Sequence, residues 1–337
     1  MKSRSVVSKD FLKRISDPKS RYYSDYLAYR RGEITRRQLI SRLPHVAMIG
    51  DSVCTGIHVT TRWSTFWRAR DRHDGNWFLE LNPTSEIQSV SRRLEAMTPF
   101  VAVHCAGVGA MVDAEGERET RFRRILGTRN FSGQVNQLVH ADRFPDLVLV
   151  SIGHNNVDWA WRCPPAELEQ SGQRLQRQRG CVRELFARRL RPLIQHARQQ
   201  RHRVAIIVFG LINFESYFRG REEVERLHTA DSKLYPHLET TYQYLTSFRP
   251  ALRGNVIRLA VMVNDELRSM IDEFNRELPA DSNVRLRYSE ALATADLSRA
   301  ELLHDVDGWH ASAKGHNVLA EAAFEDLKPS LKFIKIV

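Results

Sequence analysis

Short runs of consecutive apolar residues alternate along this chain with longer stretches whose apolar positions recur at helical spacing. The first run, His45-Val46-Ala47-Met48-Ile49, closes on Gly50, and similar runs occupy Phe100 to His104, Leu147 to Ile152, Val204 to Leu211 and Val284 to Tyr288. Between and after them the spacing predicts helices over Thr84 to Met97, Gly133 to His140, Ala166 to Gln200, Val256 to Leu278 and Ser312 to Leu327. Pro192 is expected to bend or split the third of these. Strands that are apolar throughout and alternate with helices need cover on both faces. The expected fold is therefore α/β: a three-layer α/β/α sandwich with a central, mostly parallel five-stranded sheet. Residues 1–42 carry polar, helix-compatible segments at Tyr22 to Arg31 and Thr35 to Arg42 and read as a helical N-terminal extension. Residues 43–337 read as one domain with an aromatic insertion at about 57–83.

Composition narrows the class without changing that picture. The chain has 337 residues, of which 42% are hydrophobic and 27% charged, a globular balance that excludes collagenous, mucin-like and wholly disordered chains. No run approaches the roughly 18 apolar residues of a membrane-spanning helix, so no membrane span is expected. The start, Met1-Lys2-Ser3-Arg4-Ser5-Val6-Val7, continues into Ser8-Lys9-Asp10 without an apolar core, which favours a cytoplasmic location. Cys54, Cys105, Cys163 and Cys181 are scattered and read as free thiols, with no spacing for a zinc ribbon. The basic excess, 51 − 40 = +11, is carried mostly by Arg spread along the whole length among Asp and Glu. A diffuse excess of this kind is not a binding stripe, so no nucleic-acid partner is expected.

Candidate chemistry sits where such a sheet binds ligands, beyond the carboxyl ends of its strands. Gly50-Asp51-Ser52-Val53 follows the first apolar run, Gly107-Val108-Gly109-Ala110 the second and Gly153-His154-Asn155-Asn156 the third; Asp307-Gly308-Trp309-His310 precedes the last helix. Together these supply the parts of an acyl-transfer site. Ser52 is a nucleophile that needs a neighbouring base at neutral pH, and His310 can be that base. Asp307, three residues earlier, can accept the other ring N–H and fix the tautomer. The backbone N–H groups of Ser52 and Gly109 and the side-chain amide of Asn155 can converge on a developing oxyanion.

In this order and at these places the four blocks resemble the GDSL hydrolases, also called the SGNH hydrolase family, over about residues 43–327. The most specific stretch is Asp307-Gly308-Trp309-His310-Ala311-Ser312-Ala313-Lys314-Gly315-His316, which is similar to the family's Asp-x-x-His turn and final helix. The resemblance implies an SGNH, flavodoxin-like sandwich and a serine-dependent ester hydrolase with no metal and no other cofactor, acting on a small-molecule ester. It implies Ser52 as nucleophile and oxyanion donor, Gly109 and Asn155 as further donors, His310 as base and Asp307 as its orienter. Carbohydrate or small-molecule deacetylation and acyl transfer to an alcohol are alternatives on the same triad, and a non-catalytic binding module is the alternative of another class. Three positions depart from the family pattern: Val53 for Leu, Asn156 where Asp is frequent, and His104 where Asn is frequent. The last leaves Gly107 as an alternative to Gly109.

Other readings fit less well. Gly50-Asp51-Ser52-Val53-Cys54 breaks the Gly-x-Ser-x-Gly nucleophile elbow at its last position, and Val112 stands where a dinucleotide fingerprint needs Gly or Ala. His304, Asp305, Asp307, His310 and His316 have ligand chemistry, but a turn and a solvated helix account for His304 and His316, so no metal is expected. The six tryptophans lie near the blocks. Trp63, Trp67, Trp77, Trp159 and Trp309 are candidates to line an acyl or aryl cleft, against the alternative of packing long loops. Arg68, Arg70 and Arg72 read as a solvated loop face.

Overall fold

Burial on both faces holds at every position of β2 (His45–Gly50), β3 (Val101–His104), β4 (Leu147–Ser151) and β5 (Val204–Phe209). These strands lie in a six-stranded sheet of order β1-β3-β2-β4-β5-β6, with β6 (Val284–Ser289) at one edge and β1 (Arg4–Val7) at the other. The computed structural model describes residues 4–7, 10–55, 75–80, 85–112, 130–160, 171–235, 250–304, 308 and 310–336. The five strands from β2 to β6 are parallel, and helices enclose them in an α/β/α sandwich. The sixth strand, β1, runs antiparallel on β3 with Arg4 opposite His104 and Val7 opposite Val101. Nothing in Arg-Ser-Val-Val announces a strand locally; its pairing comes from the otherwise open edge of β3.

The helices before β2 are α1 (Phe11–Ile15), α2 (Tyr23–Arg30) and α3 (Arg36–Arg42). Thr35 starts α3 with a capping box, accepting from the Gln38 N–H while the Gln38 side chain accepts from the Thr35 N–H. Phe11, Ile15, Leu39 and Leu43 are buried in the same core as the sheet. The crossover helices follow: α4 (Val90–Met97), α5 (Phe131–Val139), α6 (His154–Ala160), α7 (Ser171–Arg198), α8 (Phe214–Ala230), α9 (Pro250–Glu277), α10 (Ala291–Thr294) and α11 (Ala313–Phe333). Pro192 does not split α7, which continues through it as one helix. Arg183 on α7 ties that helix to α9 through Glu266, at 3.0 Å, and Glu273.

Helix α8 has no counterpart in the apolar pattern. Its buried face runs Phe214, Tyr217, Phe218, Gly220, Arg221 and Val224, so the stripe is broken by a glycine and a charged residue. Arg221 is 1% exposed. Its reason for being there lies in the site. No helix among the described residues is long and apolar enough to cross a membrane.

Candidate active site

From β2 the chain crosses to β3 on one side and later enters β4 on the other, so the carboxyl ends of β2 and β4 flank the point where strand order reverses. Gly50 pairs with Ser151 at the last register position, which sets Asp51-Ser52 beside Gly153-His154-Asn155. Only glycine fits at position 50: a Cβ there would stand 2.5 Å from Cys54 Sγ and 2.7 Å from the Ser151 carbonyl oxygen.

Ser52 opens a single 3₁₀ turn, Ser52–Cys54, whose carbonyls are each held from outside or by the following residue. The Ser52 carbonyl accepts from the Thr55 N–H, that of Val53 from Trp77 Nε1 at 3.1 Å, and that of Cys54 from His104 Nε2 at 2.9 Å. Below the turn, buried Gln134 on α5 both donates to and accepts from the Gly50 backbone, at 2.9 and 2.8 Å. The turn carrying Ser52 is thus held by hydrogen bonds from three other segments.

Asp51 is fully buried and joins the blocks. Its Oδ1 accepts from the Val53 N–H, while its Oδ2 accepts from the N–H groups of Gly153 and His154 and from His154 Nδ1, at 2.9 to 3.1 Å. The other ring nitrogen of His154, Nε2, accepts from the Ile212 N–H at 3.1 Å. An acceptor at Nε2 and a donor at Nδ1 define the tautomer. His154 therefore pins together the ends of β2, β4 and β5. Gly153 makes the approach possible with φ of +121°, a conformation L side chains rarely adopt.

The two asparagines of the third block divide their work. Asn155 Nδ2 donates to the Ala110 carbonyl at 3.0 Å, and since an amide nitrogen carries two hydrogens, one bond orients the group for a second. Asn156 Oδ1 accepts from the Val112 N–H at 3.0 Å, anchoring the second block from the other side. Within that block the Gly107 N–H is donated to the Gly50 carbonyl at 3.1 Å. That engagement leaves Gly109, at φ +69°, as the stronger candidate for an oxyanion donor.

His310 comes from the loop before α11. The loop is braced by the His304 N–H donating to the His310 carbonyl at 2.8 Å, by the Leu303–Ala311 bridge and by Ser312, which caps α11 on the Gly315 N–H. Buried Arg221 reaches in from α8 and donates to the Gly308 carbonyl at 2.8 Å; Glu225 receives its Nε at 3.2 Å and is also paired with Arg253 of α9. The charge that interrupts the α8 stripe thus holds the histidine loop in place.

Ser52, Asn155 and His310 line one cavity of about 70 Å³, together with His154 and His316. His316 accepts from the Trp77 N–H at Nδ1, 3.3 Å away; burial, with His310 and His304 nearby, pushes its pKa down to about 3. Burial beside Asp51 pushes the Cys54 thiol well up, and it donates to the Ser151 carbonyl at 3.3 Å, the setting of a structural thiol and not of a reactive one. Cys105 is likewise a buried free thiol.

The remaining sequence candidates are placed unevenly. Trp77 is wholly buried behind the Ser52 turn, edge-on to Phe209, and is not among the residues that line this cavity. Asp307, Trp63, Trp67, Trp309, Arg68, Arg70 and Arg72 lie outside the described residues, as does the side chain of Trp159 on α6. Among the described residues no group of three or more His, Cys, Asp or Glu side chains is arranged to hold a metal ion. Sequence reasoning missed Gln134, His154 as a ligand of Asp51, and Arg221. Only His154 had a visible signal, its place inside the Gly-x-Asn block.

No family model and no curated protein matches the sequence. Among solved structures it is similar to the lipase Lip_vut3 from a goat rumen metagenome, at 13% identity and a TM-score of 0.45, covering 87% of this chain and 100% of that one. Phospholipase A1 from Streptomyces albidoflavus NA297 is similar at 14% identity and a TM-score of 0.43, covering 86% and 99%. A carbohydrate esterase family 3 protein from Talaromyces cellulolyticus is similar at 15% identity and a TM-score of 0.38, covering 88% and 100%.

Proposed function

We propose that this chain is a serine-dependent carboxylic ester hydrolase working through an acyl-enzyme. The observation that carries the reading is that Ser52, Asn155 and His310, from three separate sequence blocks, line one cavity at the point where strand order reverses. In the proposed reaction Ser52 Oγ attacks the ester carbonyl while His310 takes its proton. The oxygen that gains charge is met by the Asn155 amide and by the backbone N–H groups of Ser52 and Gly109. His310 returns the proton to the leaving alcohol, then removes one from the water that releases the acid from Ser52. Asp307 is assigned to orient His310 by the sequence resemblance. The buried Asp51 carboxylate has a different task. Its four acceptor contacts fix the Ser52 turn against Gly153 and His154, next to Asn155, so the proposed nucleophile and oxyanion donor keep their spacing during the reaction.

The test is covalent labelling by a fluorophosphonate with the adduct located by peptide mapping, together with hydrolysis of p-nitrophenyl acetate. Ser52→Ala should abolish labelling and lower kcat by a factor on the order of 10⁴ at an unchanged melting temperature. A folded wild-type protein that is neither labelled nor active would instead support a binding module on this scaffold, and activity surviving Ser52→Ala would remove Ser52 from the mechanism.

A further inference from the structure

We infer that the site accepts only short acyl groups, of about two to four carbons, and that helix α8 sets this limit; the inference rests on the ester-hydrolase reading above. The cavity that contains Ser52, Asn155 and His310 has a volume of about 70 Å³. A dry apolar cavity of about 150 Å³ takes one benzene ring, so roughly half that space holds an acetyl or propionyl group but not an eight-carbon chain. Its apolar wall is formed by Ile212, Phe214, Tyr217, Leu297, Leu303 and Leu319. Methyl and methylene groups suit such a wall, whereas a polar sugar or head group would lose hydrogen bonds there.

The wall is built to stay where it is. Phe214 stands at the start of α8, packed against Tyr217 at 6.1 Å, Phe218 at 5.8 Å and His154 at 6.3 Å between ring centroids. His154 is itself fixed by Asp51 and Ile212. Opposite, Leu297 is held to α8 by Ser216, whose hydroxyl accepts from the Leu297 N–H at 3.0 Å and donates to the Ala295 carbonyl at 3.2 Å. At Gly220 the helix lies so close to this segment that a Cβ would stand 2.4 Å from the Leu297 carbonyl oxygen. Each of the six wall residues is less than 10% exposed, so none has room to swing aside for a longer chain.

The experiment measures kcat/KM of the full chain for p-nitrophenyl acetate, butyrate and octanoate, with Ser52 labelling by short- and long-alkyl fluorophosphonates in parallel. Wild type should prefer acetate over octanoate by about 100-fold or more, and the short probe should label faster. Phe214→Ala or, where that variant fails to fold, Leu297→Ala should raise the butyrate-to-acetate ratio by about tenfold. Octanoate turned over as fast as acetate, with Ser52 labelled, would overturn the size limit while leaving the hydrolase intact. An unchanged ratio in folded Phe214→Ala would overturn the role of α8, and in folded Leu297→Ala the role of the wall that α8 packs against. Absence of both turnover and labelling would fall on the hydrolase reading itself and take the inference with it.

Discussion

His154 offers the sharpest test of how this site is held together, because its ring bonds both the fully buried Asp51 carboxylate and the Ile212 N–H. Replacing it by Ala removes the Nδ1 donor to Asp51 Oδ2, a bond of 2.9 Å to a carboxylate with no solvent exposure, and strands the Ile212 N–H that Nε2 accepts. A hydrogen bond to a charged group contributes about 1.5–3 kcal/mol, and a buried donor left unpaired costs about 1–3 kcal/mol. His154→Ala should thus destabilise the fold by about 3–6 kcal/mol. Asn reproduces the Nδ1 donor but is too short to accept from Ile212, so His154→Asn should cost only about 1–3 kcal/mol. The assay is urea unfolding by circular dichroism, comparing midpoints at constant slope. The same variants report on function, since Asp51 also holds the Gly153 and His154 N–H groups next to Asn155. Ester hydrolysis should therefore fall in the order wild type, Asn, Ala, mainly through kcat. An Ala variant within 1 kcal/mol of wild type, or an Asn variant less stable than Ala, would refute the claim that this imidazole joins the three strand ends.

Further outcomes follow from neighbouring contacts. Asn155→Ala should lower kcat by about 10² to 10³ with little change in KM, whereas Asn156→Ala should do less because its side chain accepts from the Val112 N–H; steady-state kinetics decide, and a reversed order would shift the oxyanion donor by one residue. Burial lowers the pKa of His316 to about 3 and that of His45 to about 4, both below the ordinary value of 6.5. In this case the unfolded chain binds the protons first, so stability is full above pH 6.5 and falls as pH drops toward 4 and then 3; between pH 7 and 5 the loss should be about 2 kcal/mol per histidine. His316→Gln should flatten that slope, and a pH-independent urea midpoint over this range would contradict the burial argument. Arg221→Met keeps the volume on α8 but releases the Gly308 carbonyl, so it should lower kcat by tenfold or more with a smaller effect on KM. Equal activity of Arg221→Met and wild type would show that the His310 loop needs no support from α8.

The strands and most crossover helices were legible in the sequence because their information is local. A run such as Leu147-Val148-Leu149-Val150 has nowhere to go but between two covering layers, and Ser312 marks a helix start through its own side chain. The cavity-lining candidates were legible for a related reason: Ser52 and Asn155 closely follow apolar runs that end as strands, and His310 stands just before the final helix. What the pattern could not carry are features whose partner is remote in the chain. Strand β1 exists because β3 has an unpaired edge some hundred residues later, and α8 hides a charged residue in its buried face because the Gly308 carbonyl accepts from it. Trp77 shows the same limit in reverse, since an aromatic residue near a catalytic block can equally be a wall or a floor, and only its bond to the Val53 carbonyl makes it the floor. The hydrogen bond that engages the Gly107 N–H on the Gly50 carbonyl is likewise invisible in the local pattern. How closely α8 approaches the segment at Leu297 is equally invisible in the sequence, because packing distance between distant segments is set by the tertiary fold and no local periodicity encodes it.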